Sequence, residues 1–511
     1  MDRPMRRVGT ARVFGAACTL AVCTTALLAA APALGVLPPA FGGTIRLPLA
    51  APLEDVDPTR QTQPSSAAVA AALFDTLYAI DARGTPVPVL AESLPAVSTA
   101  AGAAPGTLLI TLRSALRRHD GQRLVASDVV ASLRRAASAP RAGWLLGAIA
   151  TSADGALDMR PTGALELEVR TTGSALALAR VLAAAPLAIV VGDPHRRAVG
   201  TGAFSLRGAA GGAAHDTVLS QHGPAALGAP FLQRVTLLPP RPRDEDLRAF
   251  ELGETDASWF GARLYAAAAH DARDSGADPS RTAEGPAVCP VLLVASESGA
   301  LRDPGLRGYV AASVDRRRLE RAGLNADATL AGSAVAAPPR ARPPTGRSTL
   351  RLAVPAGDPL LSRVAETIAA MLDERGLTVA LSVAPAVDEP SAGTWDARLV
   401  SVLPPLPGAA PLVGAALAAS GHADAARALA ATSSLDDAAA AADAALHFDA
   451  LVLGRRRETL YYRNALRDVH FDATTGALEF ARIWLPRMQL PAASAAVPAT
   501  RPRGAAARRS R

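Results

Sequence analysis

Between Leu112 and Ala136 the chain reads LRSALRRHDGQRLVASDVVASLRRA, with one His, two Asp and three Ser in 25 positions. These are the residue types of a hydrolytic relay. In such a relay an imidazole takes the proton of an attacking hydroxyl while a carboxylate orients the ring. The same letters have a plainer reading as punctuation. Asp120-Gly121 is a turn signal. Ser127 stands where it can cap a helix, and Asp128 falls in that helix's first turn. Arg134 and Arg135 fall in its last turn, where cations are favoured. On this second reading the stretch is a strand, a turn and a helix start, in a fold that binds rather than cleaves.

The rest of the composition narrows the chemistry. All 53 basic residues are Arg. Without Lys there is no P-loop lysine on a phosphate, no pyridoxal Schiff base and no Ser-x-x-Lys signature. Neither His-Glu-x-x-His nor Gly-x-Ser-x-Gly occurs, and Gly200-Thr-Gly202 lacks the third glycine of a dinucleotide fingerprint. The eight His are scattered, with no pair at ligand spacing. Each reads as a structural or surface residue, so no catalytic residue, metal or cofactor is expected.

The first 35 residues read as a signal peptide, with Arg3, Arg6, Arg7 and Arg12 ahead of an apolar run and small-x-small cleavage sites at Ala31–Gly35. Cys18 and Cys23 leave a lipoprotein anchor as the less favoured alternative. Cleavage would leave Cys289 as the one thiol, which excludes an internal disulfide. Residues 491–511 read as a disordered Arg-rich tail. These two ends carry +3 and +5 of the formal +7, so the body between them is near neutral. That distribution argues against a nucleic-acid partner. The expected product is periplasmic, soluble and monomeric.

The elements that must position any site alternate between strand and helix. Strands are expected at Gly43–Ala50, Thr107–Arg113, Ala164–Arg170, Arg234–Pro239, Arg347–Val354 and Leu377–Leu381. Helices are expected at Ser65–Tyr78, Asp128–Ala136 and Arg243–Leu252, the last ended by Gly253. Another opens at Asp358-Pro359 as cap and first residue. The Ala331–Pro344 run reads as a seam.

Several landmarks occur in a telling order. Leu73-Phe-Asp-Thr-Leu-Tyr78 is followed by Pro86–Ser93 and then by the Leu112–Ala136 stretch. Next come Gly200-Thr-Gly-Ala-Phe204, Leu252-Gly-Glu-Thr-Asp256, Leu306–Arg316 and Asp472-x-x-x-Gly476. This order resembles the family-5 extracellular solute-binding proteins, the dipeptide and oligopeptide receptors of ABC importers. The resemblance implies an α/β fold, the two-lobe type II periplasmic-binding-protein clamp with an extra subdomain in the first lobe. It places lobe I at 36–70, 200–285 and 465–490, the extra subdomain at 71–199 and lobe II at 286–464. It implies a peptide or other small solute held between the lobes and passed to an inner-membrane permease. A second reading keeps the fold but gives it an altered cleft, in a non-transport sensory or envelope protein. A third is an envelope hydrolase.

Peptide-binding members carry an aromatic and an Asp in a loop of the second lobe, where the Asp meets the peptide's amino group. Here the matching loop, Ser401-Val-Leu-Pro-Pro-Leu-Pro-Gly-Ala409, has neither. Recognition of a free peptide N-terminus is therefore not expected from that loop. The ligand-binding candidates are Trp259, Ser258, Phe204, Trp395 and Ser401, the last with its loop to Leu406. Trp259 is favoured because Trp offers an apolar face and one donor. Arg307 and Arg316 are the weaker candidates for a ligand carboxylate.

Overall fold

A computed structural model describes residues 39–53, 55–195, 198–207, 215–260, 280–296, 299–325, 349–384, 395–432 and 450–486. The signal stretch, the Ala331–Pro344 seam and the Arg-rich tail lie outside these residues.

The first sheet pairs Thr44–Pro48 in parallel with Arg234–Leu238, then continues antiparallel through Thr217–Gln221 and Phe204–Arg207. Its register sets Ile45 beside Val235 and Leu47 beside Leu237. Alternation along each strand sends these four side chains to the buried face. Helix Pro64–Leu73 shares that core through Val69 and Leu73, as do Leu460, Phe480 and Ile483 from the end of the described chain. The helix is shorter than expected. Phe74 turns to extended backbone at φ −131°, and Tyr78 passes into the hairpin of Tyr78–Ile80 with Pro86–Pro88.

Gly200 and Gly202 run against the C-terminal end of this helix. A Cβ at Gly200 would lie 2.2 Å from the Leu73 carbonyl oxygen, and one at Gly202 would lie 2.5 Å from that of Ala72. Backbone meets backbone here, so only glycine fits.

A four-stranded antiparallel sheet follows the order Ala96–Val97, Thr107–Thr111, Glu166–Arg170, Met159–Pro161. Helix Ala126–Ala137 packs on it. Its N-cap position is Val125 rather than the expected Ser127, and the Asp128 carboxylate reaches back to the Val125 N–H at 3.2 Å. The helix starts two residues early because Asp128 at N3 supplies the capping acceptor.

The five-stranded sheet runs Thr378–Ala384, Thr349–Pro355, Ala397–Ser401, Cys289–Ala295, Leu451–Arg456. Its first three strands are parallel and the last two are antiparallel additions. Helix Pro359–Asp373 makes the crossover between two parallel strands. As expected, Asp358 caps it, accepting from Leu360 N and Leu361 N at 3.0 and 3.1 Å.

One face of this sheet (Leu292, Val294, Val400) and the helices Ala409–Ala419 and Ala423–Thr432 share a core with the four-stranded sheet and the short helix Gly143–Ala148. Among the described residues no helix is long and apolar enough to cross a membrane.

Candidate ligand-binding cavity

The opening stretch does not assemble a relay. Gly200 N–H donates to His119 Nδ1 at 3.2 Å, and His119 Nε2 lies 3.2 Å from the Gly202 carbonyl oxygen. The ring is thus the Nε2–H tautomer, held between two backbone groups of the Gly-Thr-Gly turn. Ser132 Oγ accepts from Val190 N–H, Ser127 is exposed, and Asp120 and Asp128 both pair with Arg118. These residues brace one segment against another.

A cavity of about 510 Å³ is walled mainly by four segments far apart in sequence, with Val89, Arg141, Leu227, Ala415 and Ala419 completing the lining. The four are Pro58 to Ile80 with its alanine-rich helix, Ala183–Ala188, the loop Val402–Pro407, and Asp472–Arg482. The loop's position is set partly by two bonds. Ala185 N–H donates to the Pro405 carbonyl at 3.3 Å, and Arg180 donates to that of Pro407 at 3.0 Å.

Most polar groups on these walls are already engaged. Gln61 donates to the Asp57 carbonyl at 2.6 Å. Thr59 donates to the Asp57 carboxylate, and Thr76 to the Tyr78 carbonyl. Asp472 Oδ1 accepts from Thr474 N, Thr475 N and Thr475 Oγ1. Arg482 pairs with Glu479 and Asp468.

Asp75 differs. Its Oδ2 accepts from Thr201 Oγ1 at 2.9 Å, and among the described residues no donor reaches Oδ1. The side chain is half-buried and borders the cavity. Burial raises its pKa from 3.8 to about 6, against the smaller opposing effect of the Thr201 bond.

Asp75 and His119 titrate in overlapping windows with opposite consequences. Desolvation lowers the His119 pKa from 6.5 to about 4. Between those values the unfolded chain holds the extra proton, so this group's stabilisation is lost as pH falls from 6.5 towards 4. For Asp75 the native state holds the extra proton between 3.8 and about 6, so its contribution falls as pH rises through that window. The two slopes oppose each other, each at most about 1.4 kcal/mol per pH unit. Relative to the native chain, Asp75→Asn is expected to gain stability from pH 4 to 6 and His119→Gln to lose it. Urea melts at four pH values read this directly. Variant curves running parallel to the native one would refute it.

None of the five sequence candidates lines the cavity. Phe204 opens an inward-facing strand position and is fully buried in the first core. Ser258 is buried, with its hydroxyl on the Asp246 carboxylate. Trp259 donates Nε1–H to the Pro48 carbonyl at 2.8 Å and tilts against Phe471, beside a separate gap of about 20 Å³. Trp395 is buried under the Arg398 guanidinium, 5.4 Å from its ring centre. Ser401 ends its strand buried, and the cavity wall begins one residue later at Val402. Arg307 and Arg316 are not on the walls either. The loop to Leu406 is the part of the expected site that the structure does put at the cavity. Asp75 was missed. Its only sequence signal is an acid inside the apolar run Leu73–Tyr78.

No protein-family model matches the chain, and no curated protein matches it in sequence. Solved structures match it in fold. The Escherichia coli murein tripeptide binding protein MppA aligns with a TM-score of 0.68 at 15% identity, covering 88% of this chain and 99% of that one. DppA from Helicobacter pylori, in complex with the peptide STSA, aligns at 0.67 and 14% identity, covering 88% and 99%. AgaA from A. tumefaciens R10, in complex with agropinic acid, aligns at 0.62 and 17% identity, covering 87% and 99%. The chain therefore has the two-lobe α/β fold of the family-5 solute-binding proteins of ABC importers, at a long sequence distance from each of these neighbours.

Proposed function

We propose that this protein is an exported solute-binding receptor, which captures one small molecule in the cavity and delivers it to an ABC permease in the inner membrane. The observation that carries this is the cavity itself. Its volume of about 510 Å³ is in the range of small-molecule sites, roughly 300–1,000 Å³. Its four walls come from both ends and the middle of the chain, so closing it depends on the whole fold. The neighbours in complex with a peptide and with agropinic acid are consistent with a fold used to hold small solutes. The braced roles of His119, Ser132 and Asp128 weigh against a hydrolase.

Native mass spectrometry of the exported protein tests the reading. A small mass released on denaturation is the expected result. Adding that compound at about 100 times its Kd should then stabilise the emptied protein by about 2.7 kcal/mol. An empty protein that no peptide, amine or sugar stabilises would overturn it.

A further inference from the structure

Resting on the receptor reading, we infer that the ligand is a compact hydrophobic amine rather than a peptide, with Asp75 as the counter-ion of its ammonium group. Two observations converge on this.

The first is the scarcity of free hydrogen-bonding groups on the walls. A peptide brings a carbonyl and an N–H at every residue, and each one buried without a partner costs about 1–3 kcal/mol. Of the loop Val402–Pro407, Pro404, Pro405 and Pro407 have no N–H, Val402 N–H goes to Pro290, and the Pro405 and Pro407 carbonyls already accept from Ala185 and Arg180, which leaves the N–H groups of Leu403 and Leu406. Along Ala183–Ala188, the N–H groups of Ala183, Ala185, Leu187 and Ala188 are all donated within the protein. On the fourth wall, Asp472, Gly476, Glu479 and Arg482 likewise donate their N–H groups internally, and Ala477 N–H reaches Thr475 Oγ1. The remaining surface is largely methyl and methylene. It suits an apolar body with few polar groups.

The second is Asp75. The other charged groups on the walls are Arg141, Asp472, Glu479 and Arg482. Arg141 has an interaction of its own, Asp472 is occupied by the Thr474–Thr475 turn, and Glu479 and Arg482 pair with each other. None of them contributes to the shift at Asp75, which comes from desolvation and Thr201 alone. Among the described residues, one carboxylate oxygen is therefore left without a donor at a largely apolar cavity, with no cation near it. A carboxylate in such a place is costly unless a charged donor meets it. An ammonium gives the strong charge-assisted bond, and a ligand carboxylate has no free cation to meet.

The test is calorimetric titration of the emptied full-length exported protein at pH 7.5 with three probes: 1-adamantylamine, 1-adamantanol and trialanine. The expected result is binding of the amine at least tenfold tighter than the alcohol, with trialanine weaker than both. Asp75→Asn should bring the amine to the level of the alcohol, since Asn keeps an acceptor for Thr201 but no charge. Equal affinity for amine and alcohol would overturn the inference, as would tight binding of trialanine or undiminished amine binding by the Asn variant. Heat from none of the three probes also overturns it, and leaves the receptor reading to the mass-spectrometric result. The amine-over-alcohol comparison uses the native chain, so it decides the matter even if the variant does not fold.

Discussion

Arg456→Met is expected to destabilise the protein by about 3–5 kcal/mol, because it strands a buried charge. Arg456 ends the edge strand of the five-stranded sheet. Its Nη1 donates to Asp358 Oδ2 at 2.6 Å and its Nε to Glu458 Oε1 at 2.6 Å. Arg456 is 3% exposed and Asp358 0%, so water cannot replace the lost partner. Asp358 also caps helix Pro359–Asp373 through its other oxygen. One guanidinium thus ties a helix start to a strand end. Arg456→Lys should recover little, because a single ammonium cannot reproduce the forked geometry that meets two carboxylates. The double variant Arg456→Met/Asp358→Asn should cost less than the sum of its parts, since it no longer strands the fully buried Asp358 charge and leaves only the less buried Glu458 without its partner. Urea-midpoint measurements on the four chains close the cycle. A loss below about 1 kcal/mol for Arg456→Met would show that the pair is better solvated than its burial indicates.

The second large effect is expected where Trp144 meets Gly414. Trp144 is buried in the short helix Gly143–Ala148, and its indole N–H is satisfied by the Arg141 carbonyl at 3.1 Å. A Cβ at Gly414 would fall 2.4 Å from Trp144 Cζ3, and one at Gly147 would fall 2.7 Å from the Arg427 carbonyl oxygen. The helix carrying Gly414 starts two residues after the cavity-lining loop Val402–Pro407. This contact therefore supports one wall of the cavity from behind. Trp144→Ala should cost about 3–5 kcal/mol through the void it leaves. Gly414→Val should cost about 1–3 kcal/mol by overpacking against the ring. Combined, they should cost less than the sum of the two, because the valine methyls enter the space the indole vacated. Additive losses in thermal or urea melts would mean that the two residues do not share one packed volume.

Much of the architecture was legible in local chemistry. Asp358-Pro359 marks a helix start because a carboxylate can accept from the first free N–H groups and Pro needs none. Gly253 marks a helix end, and it does sit at φ 81°. Glu166–Arg170 and Arg234–Leu238 do form strands where the two-residue pattern placed them, but the alternation is broken at Glu168, which is buried because Ser98 and Arg160 bond its carboxylate. The order of these landmarks was enough to indicate the fold. The errors at element ends are local competitions. Asp128 reaching back to Val125 moved one helix start, and Phe74 turning to extended backbone shortened another helix.

The site was far less legible. Trp259, Ser258 and Phe204 were selected for residue type beside a recognisable turn or strand, and residue type does not say which way a side chain faces. Each turned inward to its own core or partner. Asp75 looked like one polar letter in an apolar run. It became the distinctive charge of the cavity only when Thr201, 126 positions away, took one of its oxygens. Among the described residues the other oxygen was left without a donor, on a cavity that Ala183–Ala188 and Val402–Pro407 also line. Local sequence determined the elements, their caps and their order, because those depend on backbone chemistry within a few residues. The tertiary structure alone decided the cavity and the setting of Asp75 within it, because burial and charge pairing depend on which distant segments pack around a group.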